Sequence, residues 1–125
     1  THPFQPVDIQ GKPLGVPQLP TTLPTLDELI GIDGLDGENV HRHVLALTQA
    51  CELPQVYTLH AELEGLRLSA TFERLLEGWT AQGYRLSSCR ELFGTLDAAS
   101  LPRHRVIMGE IPGRSGILAL QGDPQ

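Results

Sequence analysis

The stretch "VYTLHAELEG" places one imidazole and two carboxylates where they could act together: His60, then Glu62 and Glu64 on either side of Leu63. An apolar run of strand-forming residues, Val56-Tyr57-Thr58-Leu59, ends on that histidine. An imidazole titrates near ~6.5 when unperturbed, which suits it to giving or taking a proton at neutral pH. Two acids just beyond it could hold an amino sugar, or tune the imidazole by charge. The plainer readings are a core histidine satisfied by a backbone carbonyl and a pair of solvated loop acids.

The remaining histidines offer less. His41 and His43 make an "HRH", but on a helix residues two apart lie about 200° from each other and cannot grip one ion. A solvated helix start is their expected setting. His104, within "RHR", is expected to be exposed as the chain enters a hairpin, and His2 stands near the start of the sequence. The acidic loop "GIDGLDGE" lacks the alternating ligands and closing bidentate glutamate of a calcium loop. No P-loop, GxSxG, paired CxxC or HExxH is present.

The elements that would position His60 can be read from pattern. Residues 1–24 hold six of the ten prolines, so they predict an extended connector, with "VPQL" as a short edge strand. Thr25 and Glu28 have capping-box spacing, predicting a short helix from Leu26 to about Gly31. Asp36 could cap a helix over 38–51, with Val40, Val44, Leu47 and Cys51 as its apolar stripe. A strand is expected over 55–60. A helix over 69–82 follows, burying Leu68, Phe72, Leu75, Leu76 and Trp79 and ending at Gly83. "YRLSS" reads as another strand, and Ser88 with Glu91 repeats the capping box. "RHRVIMGEIPGRSGILALQ" closes as a β-hairpin around "PGRSG". This order predicts an α/β fold with parallel neighbours, in which working residues stand at C-terminal strand ends, where His60 is.

Composition narrows the partners. At 125 residues the chain is one domain or part of one. A formal charge of −6 argues against a nucleic-acid surface and lends nothing to binding an anionic membrane. Cys51 and Cys89 are too few for a disulfide framework and read as buried thiols. No apolar run approaches the ~18 residues of a membrane span, and no signal peptide is evident. The chain begins "THPFQP" without a methionine, as expected after processing or for the later part of a longer protein.

Four segments in combination carry a resemblance: "PQLPTTLPTLDELIG", "PQVYTLHAELEG", "RLLEGWTAQGYRLSSCRELF" and "GEIPGRSGILALQG". Together they resemble the C-terminal portion of the NodB-type polysaccharide deacetylases, in the branch that deformylates a lipid-linked 4-formamido-arabinose. The resemblance implies the C-terminal part of a deformed (β/α) barrel. It implies hydrolysis of a formamide to formate and a free amine, which serves lipid A modification and polymyxin resistance. In that family a divalent metal, zinc or similar, is held by an Asp and two His and activates water. An Asp is the base, and a late histidine at a strand end protonates the departing amine. His60 in "YTLHAE" matches that late histidine, and Glu62 and Glu64 become candidate sugar contacts.

The family's Asp-Asp pair, HxxxH and arginine motif have no counterpart in this chain, so no metal ligand is assigned here and the chain alone is expected to be inactive. The implied partners are a lipid-linked aminosugar and, through the lipid, the cytoplasmic face of the inner membrane. Exposed strand edges of a partial barrel would favour self-association. Two other readings stand beside this one: a chitin- or peptidoglycan-type N-deacetylase of the same superfamily, and a binding module without chemistry.

Overall fold

A computed structural model describes residues 2–125. The chain folds as two compact units: residues 23–87, and residues 2–22 together with Ser88–Gln125.

The first of these is helical. Its opening helix α1 (Leu26–Leu29) starts as the capping-box spacing predicts, with the Thr25 N–H donated to Glu28 Oε2 at 2.9 Å. The loop that follows turns through Gly31 and Gly34, both at positive φ, where glycine avoids a Cβ clash. Asp36 does not cap the helix as expected: its Oδ1 accepts the N–H groups of Glu38 and Asn39 at 2.9 and 3.0 Å in the loop before it, and Asn39 stands at the N-cap. Helix α2 itself is Val40–Thr48.

The stripe of α2 differs from expectation at its far end. Val40, Val44 and Thr48 are buried, whereas Leu47 is exposed. A spacing of i, i+4, i+8 keeps one face, and Thr48 is tolerated there because its hydroxyl donates to Gln82 Oε1 at 2.7 Å.

A single π-helical turn, Leu63–Arg67, leads into α3 (Ser69–Ala81). The C-terminal end of α3 is a Schellman motif: Tyr84 N–H reaches the Trp79 carbonyl and Gly83 N–H the Thr80 carbonyl, both at 3.0 Å, with Gly83 at φ 90°. Helices α2 and α3 pack against each other. Gly78 permits this, since a Cβ there would stand 2.4 Å from Leu45 Cδ1. Leu23, Leu26, Val40, Val44, Leu68, Leu75 and Trp79 form the core, with Tyr57, Phe72 and Leu76 packed on it.

The other unit is a three-stranded sheet in the order β1 (Gln5–Val7), β2 (Arg103–Gly109), β3 (Leu118–Pro124), with the short helix α4 (Cys89–Gly94). β1 pairs parallel to β2, and β2 pairs antiparallel to β3, so the hairpin expected around "PGRSG" is present. Both halves of the Ser88–Glu91 capping box form: Ser88 Oγ accepts the Glu91 N–H and Glu91 Oε2 accepts the Ser88 N–H. The proline-rich start turns back on β1 through the pairs Phe4–Gln18 and Val7–Pro13. The edge strand is therefore Gln5–Val7, and "VPQL" contributes only the bridge at Gln18.

The fold is mixed α/β, but two expected strands do not form. Residues 55–60 and 84–88 take no strand structure. A strand exists only if a neighbour accepts its ladder. At residues 55–60 the Val56 carbonyl accepts the Leu23 N–H at 3.4 Å, but no ladder builds from it. Two thiols expected in the interior are not there either: Cys51 is half-buried, Cys89 is exposed, and both are free.

Candidate functional site

His60 caps the helical turn that follows it. Its carbonyl accepts the N–H groups of Leu63 and Glu64 at 2.9 and 3.0 Å. Its own N–H donates to Glu64 Oε2 at 2.9 Å. Glu64 thus makes the returning half of a capping box, one residue later than the usual spacing, while the His60 carbonyl takes the ordinary helical bond. The extended run thus ends on His60 because the next four residues wind back and hold its backbone.

Glu64 is the centre of this arrangement and is only 2% exposed. Its second oxygen, Oε1, accepts the Tyr57 hydroxyl at 2.9 Å. Burial of a carboxylate is costly unless its oxygens are satisfied, and here one N–H and one O–H do so. The Tyr57 hydroxyl is pushed well above its ordinary pKa, first by burial and then by its bond to Glu64 and the carboxylate charge. Tyr57 is further fixed edge-on to Trp79 at 5.3 Å and stacked with Phe72 at 6.5 Å. The site backbone is therefore fastened directly to the hydrophobic core.

The imidazole points the other way, toward α1. His60 Nε2 lies 3.3 Å from Asp27 Oδ1, and the His60 side chain is 31% exposed. The Nε2 atom itself is out of water and makes no aligned hydrogen bond. Its approach to Asp27 is a charge pairing, available when the ring is protonated. At this exposure such a pair adds little to stability, typically under ~1 kcal/mol. Its value is in orienting the ring.

The two acids singled out beside His60 have parted. Glu64 is an internal brace for Tyr57 and His60, while Glu62 is exposed at the start of the helical turn. Asp27, the residue that faces the imidazole, sits 33 positions earlier. Its only sequence signal is its place behind a capping threonine in "TLDEL", which reads as helix chemistry rather than as a site. Glu28 serves that cap, and this leaves Asp27 as the acid turned to His60.

The other histidines correct two expectations. His41 is half-buried, its Nδ1 is out of water, and its pKa is lowered by burial first and then by the Arg74 and Arg42 charges. His43 is exposed as anticipated. His104 is not exposed: it is 6% accessible within β2, its ring held against Phe4 and the Gly122 carbonyl. The bulge beside it, between the pairs His104–Pro124 and Val106–Gln121, lies outside what a residue pattern can register. Among the described residues no three His, Cys, Asp or Glu side chains converge as a ligand set, so the metal implied by the resemblance has no such set here. Among the same residues no helix is long and apolar enough to cross a membrane.

No family model matches the chain. It is 36% identical over 105 residues to a probable 4-deoxy-4-formamido-L-arabinose-phosphoundecaprenol deformylase, ArnD, of Shewanella sediminis (strain HAW-EB3), covering 84% of this chain and 34% of that protein. It is 31% identical over 118 residues to the protein of the same name from Wigglesworthia glossinidia brevipalpis, covering 94% of this chain and 40% of that protein. The chain thus spans between a third and two fifths of the length of these relatives. Nearly the whole of it is related in sequence to part of the ArnD deformylases.

Proposed function

We propose that the chain is the C-terminal part of an ArnD-type deformylase, and that His60 is the acid that protonates the departing amine of a lipid-linked formamido-arabinose. The observation that carries this reading is the His60–Asp27 pairing at 3.3 Å. An amide expels its amine poorly unless the nitrogen is protonated as the tetrahedral species collapses. A protonated imidazole supplies that proton, and Asp27 holds the ring in place before the transfer. With Nε2 turned to Asp27, the proton reaches the substrate nitrogen from Nδ1.

Water activation in this chemistry belongs to a divalent metal held by upstream residues, and no step is assigned to it here. The exposed Glu62 is the remaining candidate for a sugar contact, since Glu64 is committed to Tyr57 and His60. The barrel of the deacetylase family, its approach to the inner membrane through the lipid of the substrate, and self-association through open strand edges belong to the same proposal.

The test is formate release by the polypeptide that joins this chain to its upstream part, on formamido- and acetamido-arabinose lipids. H60N should lower kcat on the formamide by about 10²–10⁴ with little change in KM. D27N should lower it less, since it loosens the ring without removing the acid. Undiminished turnover in H60N would remove the role, and a preference for the acetamide would favour the N-deacetylase reading.

A further inference from the structure

The chain carries a second pair of facing side chains, far from His60 in sequence. His2 Nε2 and His104 Nε2 are 3.2 Å apart, between residues separated by 102 positions. His104 Nδ1 lies 2.6 Å from the Gly122 carbonyl, an approach that only an N–H can make. The proton therefore sits on Nδ1 and is donated to that carbonyl, and the Nε2 of a neutral His104 presents a lone pair to His2. The ring is also locked: it is buried and lies edge-on to Phe4 at 5.6 Å.

We infer that His2 and His104 bind one divalent first-row transition cation of the zinc or cobalt type. Zn–N bonds of about 2.0–2.1 Å meeting at a tetrahedral angle place two ligand nitrogens about 3.3–3.4 Å apart. The pair here is within a few tenths of an ångström of that. The ring centroids are 5.0 Å apart at an interplanar angle of 70°, less than a head-on approach across 3.2 Å would give. The rings therefore meet at an angle. Donation of the other ring N–H to a backbone carbonyl is what metal-ligating histidines do, because it fixes the tautomer and raises ligand basicity. An N–H···N bond from His2 to His104 fits the same distance and the same Gly122 brace, and the titration below separates it from a bound ion.

Gln121 borders the pair. Its Oε1 accepts the His2 backbone N–H at 3.2 Å and its Nε2 lies 3.4 Å from His2 Nε2. It sets where the His2 ring sits, while water completes the coordination. Such an ion is a clip: it would tie the residues before β1 to β2 and close a long loop of the chain.

The test is titration of ZnCl₂ and CoCl₂ into the chain, followed by calorimetry and by the histidine ring signals in NMR. One equivalent should bind, moving the His2 and His104 signals and leaving those of His41, His43 and His60 in place. Zinc should also raise Tm. H2Q removes an exposed ligand without touching the interior and should weaken binding by about 10–100-fold. H104Q should do the same, with its fold checked by circular dichroism. Binding unchanged in H104Q would assign the ion to the chain start alone and overturn the pair. Binding unchanged in H2Q, movement confined to His41 and His43, or no binding at all would also overturn it.

Discussion

The helical unit and the sheet unit solve the burial problem to different degrees. In residues 23–87 the apolar side chains of α1, α2 and α3 close on one another, and Leu26, Val40, Val44 and Leu75 are fully buried. In the sheet unit, among the described residues, only Phe4, Pro6, Val7 and His104 are buried, while Val106, Ile107, Met108 and Ile117 stand exposed. A helix bonds its own backbone and needs to cover only one stripe. A three-stranded sheet has two faces and two edges, and one polypeptide layer cannot cover them all. The proposed catalytic residues lie in the unit that completes its own core; the unit with the uncovered face offers the histidine pair.

The largest effect should come from the core of the helical unit. Leu75→Ala leaves a cavity under Trp79 and should cost about 2–5 kcal/mol, read by urea denaturation with the fluorescence of Trp79, the chain's one tryptophan. Met108→Ser, on a side chain 66% exposed in the sheet, should cost under ~0.5 kcal/mol. Equal costs would mean that the sheet face is covered in solution.

Next comes the polar centre. Glu64→Ala strands the Tyr57 hydroxyl and the His60 N–H and should cost about 2–4 kcal/mol, with Glu64→Gln intermediate. A neutral result by the same denaturation experiment would detach His60 from the core.

The smallest effect is on pH. The His41 pKa is lowered in the folded state, so the unfolded chain takes up that proton first and stability falls with acid. His41→Asn should lessen the loss between about pH 7.5 and about pH 5.5, measured as denaturation midpoints. A loss identical to that of the unsubstituted chain would show that His41 protonates equally in both states.

Local chemistry was legible wherever the partners are close in sequence. The Thr25–Glu28 and Ser88–Glu91 boxes, the Gly83 stop and the hairpin around "PGRSG" each need only a few neighbouring residues, whose spacing sets the outcome. Much of the helix faces follows from periodicity alone. His60 stood out for the same reason, at the abrupt end of an apolar run.

What tertiary structure decided was every pairing across distance. Whether 55–60 and 84–88 become strands depends on a neighbour to accept their ladders, and residue types cannot announce one. That Glu64 turns inward while Glu62 stays in water depends on where Tyr57 is carried by the core. Asp27 meets His60, and His2 meets His104, because separate segments are brought within ångströms by packing. Residue types supply groups able to transfer protons or bind ions; only the folded chain sets the distances at which their charges and lone pairs interact.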